Sequence, residues 1–80
     1  MNLIKPLSTE KSVKLIESEN TIVFLADKKS TKENIKKEFE SMFNVKVKKI
    51  RTLTRNNKKH VYIKLKEGQA IDIATKLGMM

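Results

Sequence analysis

The segment RTLTRNNKKHVYIKL, residues 51–65, links two alternating stretches through a run of basic and amide residues. Alternation of apolar and polar residues is typical of half-buried strands, so the segment predicts a β-hairpin. Its tip contains neither Gly nor Pro, whereas tight hairpin turns require positive φ, as in Asn-Gly. We therefore expect a loop of about six residues, which would be a poor isolated turn but an adequate one when a polyanion holds it.

The size and composition of the chain restrict what it can be. It has 80 residues, a net charge of +9, one His and no Cys. This length predicts a single domain over residues 1–80 with a thin core. One His without Cys makes a structural zinc site implausible, so no metal or cofactor is expected. We also expect the free protein to be a monomer.

The charge balance of 18 Lys and Arg against 9 Asp and Glu favours a nucleic acid as the partner, because distributed cations release the counterions of a polyanion. No segment has the length of a membrane span or the pattern of a basic amphipathic helix, so no membrane insertion is predicted. The N-terminus lacks the apolar stretch of a signal peptide, and a cytoplasmic location is expected.

The segments before the hairpin predict two strands and a helix. Residues 2–5 form a short strand that Pro6 ends. A helix begins after Ser8 or Thr9 and ends near residues 19–20. The stretch TIVFLAD, residues 21–27, is apolar on both faces and predicts a central strand that is covered on both sides.

A second helix follows. The stretch STKE, residues 30–33, is expected to form a capping box at its N-terminus, and Asn44 would end the helix in the left-handed conformation. Its apolar stripe consists of Ile35, Phe39, Met42 and Phe43. The residues predicted to face away from this stripe are Lys36, Lys37 and Glu40.

Beyond this helix, alternation slips at residues 48–49, which indicates a bulge. In the next strand, Val61, Ile63 and Leu65 point inward, while His60, Tyr62, Lys64 and Lys66 lie on the other face. A turn at Gly68 and a helix over residues 70–77 complete the pattern. The order predicts an α+β domain with a small antiparallel or mixed sheet and helices packed on it.

The two hairpin strands carry most of the positive charge. The cations are Lys46, Lys48, Lys49, Arg51, Arg55, Lys58, Lys59, Lys64 and Lys66. Lysines that guard a sheet edge explain two or three of them, but no acid occurs between Val45 and Lys66. This basic stripe favours nucleic-acid binding. Tyr62 either stacks on an unpaired base or packs on a helix, and His60 is interpreted as a surface hairpin residue.

Catalysis finds little support in the sequence, which has no Cys nucleophile, no Gly-rich phosphate loop and no carboxylate pair. One enzymatic alternative is a small phosphoryl-handling enzyme of acylphosphatase-like fold. Its Arg and Asn side chains would be Arg51, Arg55, Asn56 and Asn57. A chaperone that binds RNA or DNA is a further alternative.

Three segments resemble the universal large-subunit ribosomal protein twenty-three family. They are PLSTEKS at residues 6–12, FNVKVKKIRTL at residues 43–53 and KHVYIKLKEGQ at residues 59–69. They occur in the family's order, together with TIVF and a closing IATKLG. The short hairpin and the missing basic N-terminal extension make the chain similar to archaeal members.

The resemblance implies four antiparallel strands, the first of them short, with helices on both faces. It also implies binding to large-subunit ribosomal RNA beside the nascent-chain exit tunnel, next to a protein of the twenty-nine family. Signal recognition particle and the translocon would dock there. The residues expected to bind RNA are Lys11, Lys46, Lys48, Lys49, Arg51, Arg55, Lys58, Lys59, His60, Tyr62 and Lys64.

Acidic residues are enriched between Glu10 and Glu19. In the resembled family, the Glu that matches Glu10 helps to dock factors, so Glu10 and Glu17 are expected to contact a protein partner. A simpler interpretation remains open, in which Glu10 complements the positive end of its helix and Glu17 and Glu19 keep the protein soluble.

Overall fold

The computed structural model describes residues 3–78 and shows an α+β domain with one four-stranded antiparallel sheet in the order β1-β2-β4-β3. Its elements are β1 (Leu3–Pro6), α1 (Glu10–Glu19), β2 (Thr21–Ala26), α2 (Lys32–Phe43), β3 (Lys46–Arg55), β4 (Lys58–Glu67) and α3 (Ala70–Lys76). The predicted fold class and element order are confirmed. Asn2, the predicted start of the first strand, lies outside the described residues. None of the helices within this range is long and apolar enough to cross a membrane.

Strand β2 is buried along its whole length, as its apolar sequence predicts. On one face of the sheet, Ile22 and Phe24 are opposite Ile63 and Val61 of β4, and these four side chains belong to the main core. The ring of Phe24 lies 5.7 Å from that of Phe39, which places α2 on this core face.

The opposite face of β2 is covered as well. Val23, which points away from the core face, is only 2% exposed. Helix α1 contacts β2, and its Leu15 and Glu19 line a groove together with Thr21 and Tyr62. Since Tyr62 is opposite Val23 in the β2–β4 pair, α1 lies beside the second face. Helices therefore pack on both faces, as predicted.

Helix α1 begins where the sequence predicts. Thr9 is its N-cap, and its hydroxyl accepts a hydrogen bond from the Ser12 backbone N–H at 3.2 Å. The helix ends at Asn20, which adopts a left-handed conformation with a φ of 52°. The Asn20 side chain then binds the turn before α3: its Nδ2 donates to the Gly68 carbonyl at 3.1 Å, and its Oδ1 accepts from the Ala70 N–H at 2.7 Å.

Three expectations for α2 are wrong in detail. Thr31, not Ser30, is the N-cap, because its hydroxyl accepts from the Asn34 N–H at 3.2 Å. Met42 is 47% exposed, since the rings of Phe24, Phe39 and Phe43 already fill the space between α2 and the sheet. Glu40 does not simply face away: its carboxylate accepts from the Val47 N–H at 2.8 Å and so satisfies a donor of the edge strand β3.

The predicted bulge in β3 is confirmed. Val47 is opposite Leu65 and Lys49 is opposite Lys64, so Lys48 is an extra residue on β3. The insertion reverses the alternation beyond it. Ile50 consequently returns to the core face opposite Ile63, and Lys49 moves to the other face.

The hairpin tip is tighter than the sequence predicts. The strands pair as far as Arg55 and Lys58, so only Asn56 and Asn57 form the turn. Their φ angles are 52° and 62°, and positive φ at both central positions is the requirement of a type I′ turn. The expected six-residue loop is therefore wrong, and so is the view that the tip suits a hairpin poorly. Asn tolerates the left-handed conformation well, which lets Asn-Asn replace Asn-Gly.

Candidate nucleic-acid interface

Five of the nine cations of the β3–β4 hairpin lie on the face opposite the core. Lys49 is opposite Lys64, Arg51 is opposite Tyr62, and Arg55 is opposite Lys58. Residues that are directly opposite in an antiparallel pair share a face of the sheet. We call this surface the basic face, and it comprises Lys49, Arg51, Leu53, Arg55, Lys58, His60, Tyr62 and Lys64.

Two of these cross-strand pairs join like charges. Lys49–Lys64 and Arg55–Lys58 are cation pairs, and like charges directly opposite each other destabilise a sheet. No acidic residue occurs on either strand between Lys46 and Lys66 to compensate them. A polyanion that binds this surface stabilises it, because it neutralises the repelling cations and releases its own counterions.

Arg51 and Tyr62 form the polar centre of the basic face. The Arg51 guanidinium carbon lies over the Tyr62 ring, 5.3 Å from its centroid, in cation–π geometry. Tyr62 is half-buried, so its ring packs within the protein and also supports the guanidinium. The guanidinium remains exposed and presents a planar set of donors that suits phosphate oxygens.

Leu53 is the one apolar member of the basic face, and it is absent from the residues that the sequence predicts to bind RNA. It is 45% exposed and lies opposite His60. The Nδ1 atom of His60 is buried and has no hydrogen-bond partner in the described part of the chain. The alternation beyond the bulge is the signal that identifies Leu53, because Arg51, Leu53 and Arg55 must share a face.

Four predicted RNA-binding residues lie elsewhere. Lys59 is on the core face opposite Ala26, and its Nζ donates to the Ser30 carbonyl at 2.5 Å. Lys46 is opposite Glu67, far from the hairpin tip. Lys48, the bulge residue, lines a groove beside α2, and Lys11 is an exposed residue of α1. The structure thus groups Lys49, Arg51, Arg55, Lys58, His60, Tyr62 and Lys64 on the basic face and places Lys11, Lys46 and Lys59 elsewhere. Lys48 lies off this face at the bulge, but it lines grooves together with Lys49 and with Lys64.

A groove of about 130 Å³ lies where α1 meets the basic face. Its lining residues are Leu15, Glu19, Thr21, Lys49, Arg51, Tyr62 and Lys64. Glu19, which the simpler sequence interpretation assigns to solubility, therefore lies beside the cations of the basic face. Glu10 is exposed in the first turn of α1. Glu17 lines a separate groove with Gln69 and Ile71.

The structure gives little support to the enzymatic alternative. Arg55, Asn56 and Asn57 are exposed at a two-residue hairpin turn without Gly, whereas a phosphate cradle requires a loop of several convergent backbone N–H groups. No group of three or more His, Asp or Glu residues within residues 3–78 is arranged to hold a metal ion.

The chain matches a known protein family over most of its length. A family model described as ribosomal protein L23 matches residues 2–73. The matched range includes all four strands and extends into α3. It therefore contains every residue of the basic face and of the groove beside it.

Proposed function

Because the chain belongs to the ribosomal protein L23 family, and is therefore a protein of the large ribosomal subunit, we propose that its basic face binds large-subunit ribosomal RNA. The predicted location in the large subunit agrees with this membership, and the family points to a structural role in translation. The observation that carries the proposal is the presence of two like-charge cross-strand pairs, Lys49–Lys64 and Arg55–Lys58, in a segment, residues 46–66, that contains no acid. The phosphates of the RNA would compensate both.

The chemistry of the basic face favours contacts to the RNA backbone. Its charged groups belong to the strands of a sheet and not to a helix that could enter a duplex groove. Lys and Arg contacts to phosphate fix position and orientation, which is what assembly into a ribonucleoprotein requires. In this proposal the protein is one RNA-binding domain over residues 1–80. Lys59 would not contact the RNA and would stabilise the hairpin from the core face, through its hydrogen bond to the Ser30 carbonyl.

The proposal extends to the position of the protein on the ribosome. The resemblance of the three motif segments supports a location beside the nascent-chain exit tunnel, next to a protein of the twenty-nine family. Docking of signal recognition particle and the translocon would involve Glu10 and Glu17, which are exposed on α1. Ile71, 40% exposed, lines the same groove as Glu17 and would provide an apolar contact for a partner.

Co-sedimentation with the large subunit tests the assignment. Large subunits that have been washed free of their own member of this family are incubated with the purified chain and centrifuged in high salt. A ribosomal protein stays with the subunit because many phosphate contacts act together. An enzyme or a chaperone that works off the ribosome would be found in the supernatant, and that result would contradict the proposal.

A substitution at Glu10 separates docking from a role in the helix end. Glu10→Ala should assemble normally, because the Thr9–Ser12 capping box remains, while signal recognition particle should dissociate faster from the assembled subunits. If binding of signal recognition particle is unchanged and the melting temperature is only slightly lower, Glu10 has no role in docking. It then only stabilises the N-terminus of its helix.

A further inference from the structure

The groove between α1 and the basic face combines positive charge with one carboxylate. Lys49, Arg51 and Lys64 form its cationic side, and Glu19 contributes from the last turn of α1. An acid at this end of a helix is unfavourable, because the helix dipole is negative there. The last turn of α1 has no basic residue to compensate it. The position of Glu19 is therefore electrostatically unfavourable within its own helix, and it lies next to the basic face, which attracts anions.

A phosphate group alone does not fit this charge pattern. Glu19 forms no ion pair in the described part of the chain, and its carboxylate would repel a phosphate that entered the groove. A suitable ligand carries a negative charge that binds the cations of the groove and a hydrogen-bond donor that binds the Glu19 carboxylate. A nucleotide has this character, with a phosphodiester backbone and a base edge that carries N–H groups.

The size of the groove suits one six-membered ring. Its volume is about 130 Å³, and apolar cavities of about 150 Å³ accommodate benzene. Leu15 contributes an apolar surface to the lining, and the Arg51–Tyr62 cation–π pair contributes a guanidinium and an aromatic ring. A pyrimidine matches these dimensions.

We propose that this groove binds one unpaired cytosine of the RNA. Its ring would lie between Leu15 and the Arg51–Tyr62 pair, and its N4 amino group would donate to the Glu19 carboxylate. Lys49 and Lys64 would bind the flanking phosphates. Cytosine is preferred to uracil because uracil presents the O4 carbonyl, an acceptor, where cytosine presents its N4 donor. This inference rests on the proposed RNA-binding function and adds a base preference to it.

The test compares oligocytidylate and oligouridylate of equal length at neutral pH by fluorescence anisotropy. The two have the same number of phosphates, so the ratio of their affinities reports base recognition and cancels the general electrostatic attraction. The intact chain should prefer oligocytidylate by about tenfold, as expected for one hydrogen bond to a charged group. Glu19→Gln should abolish most of this preference, because the neutral amide can donate to uracil as well as accept from cytosine.

Glu17→Gln is the matched control, since it removes the same charge from the same helical turn but lines a different groove. It should keep the cytosine preference. Equal affinity of the intact chain for both oligonucleotides, or the same preference in Glu19→Gln, would overturn the cytosine site while leaving the RNA-binding function in place. Failure to bind either oligonucleotide or ribosomal RNA would instead contradict the function itself.

Discussion

The guanidinium of Arg51 lies over the ring of Tyr62, with 5.3 Å between the guanidinium carbon and the ring centroid. The two residues are directly opposite each other on β3 and β4. This pair holds a cation in a defined orientation at the centre of the basic face. In the proposed RNA interface, the guanidinium, and not the tyrosine ring alone, would be the planar group presented to the RNA.

A double-mutant cycle measures this contact. Arg51→Ala and Tyr62→Leu should be coupled by about 0.5–1 kcal/mol in the free energy of unfolding, the value for an exposed cation–π pair. Urea denaturation of the two single variants and the double variant gives the coupling. The control cycle uses Arg55→Ala with Tyr62→Leu, which should be additive because Arg55 is opposite Lys58. Equal coupling in both cycles would show that the Arg51 contact contributes nothing specific.

Asn20 and Asn44 form a second matched pair. Both end a helix with positive φ, 52° and 53°, but only the Asn20 side chain joins two parts of the fold, through Gly68 and Ala70. Replacement by Gly keeps the backbone conformation and removes the side chain. Asn20→Gly should therefore reduce the unfolding free energy by about 1–3 kcal/mol, whereas Asn44→Gly should change it by less than about 0.5 kcal/mol. Similar reductions in both variants would contradict the linking role of Asn20.

The hairpin turn provides a test of its own conformation. Asn-Gly is the preferred sequence for a type I′ turn, so Asn57→Gly should leave the fold intact and raise its stability by a few tenths of a kcal/mol to about 1 kcal/mol. Affinity for RNA should not change, because no cation is removed. A lower melting temperature for Asn57→Gly would mean that the turn is not of this type in the free protein.

Lys58 and Lys59 are neighbours with different environments. Lys58 is exposed on the basic face, whereas the half-buried Lys59 donates to the Ser30 carbonyl from the core face. Lys59→Met should lower the unfolding free energy by about 1 kcal/mol or more and change RNA affinity little. Lys58→Met should change the unfolding free energy little. It should lower the affinity for RNA and flatten the salt dependence of RNA binding. If Lys59→Met flattens the salt dependence as much as Lys58→Met does, Lys59 contacts RNA after all.

Much of the fold follows from local sequence patterns. The five consecutive apolar residues of β2 and the interrupted alternation at Lys48 specify a central strand and a bulge without any tertiary information. The cap of α1 at Thr9 is equally local. The sequence places the cap of α2 one residue early because Ser30 and Thr31 are both good N-caps. In the structure Thr31 is the cap and Ser30 is buried. The two-residue turn is hard to predict because Asn-Asn is a weaker signal than Asn-Gly.

Which residues form the basic face depends more on tertiary structure than the helices and strands do. The sequence identifies a basic hairpin, but the face that each cation occupies depends on the register beyond the bulge. Lys59 and Arg55 look equivalent in the sequence and lie on opposite faces in the fold. Glu19 approaches the basic face only because α1 packs beside β2. No local pattern contains that information.

The most direct test of the central claim is the salt dependence of binding to large-subunit ribosomal RNA. The intact chain is compared with a variant in which Lys49, Arg51, Arg55, Lys58 and Lys64 are changed to Ala, and with a Lys32→Ala, Lys36→Ala control on α2. We expect the first variant to bind far more weakly, with a log–log salt slope reduced by up to about 0.9 for each phosphate that the protein no longer neutralises. The control should remain close to the intact chain. If the affinity and the slope fall as much in the α2 control as in the basic-face variant, the claim that the basic face binds the RNA is contradicted.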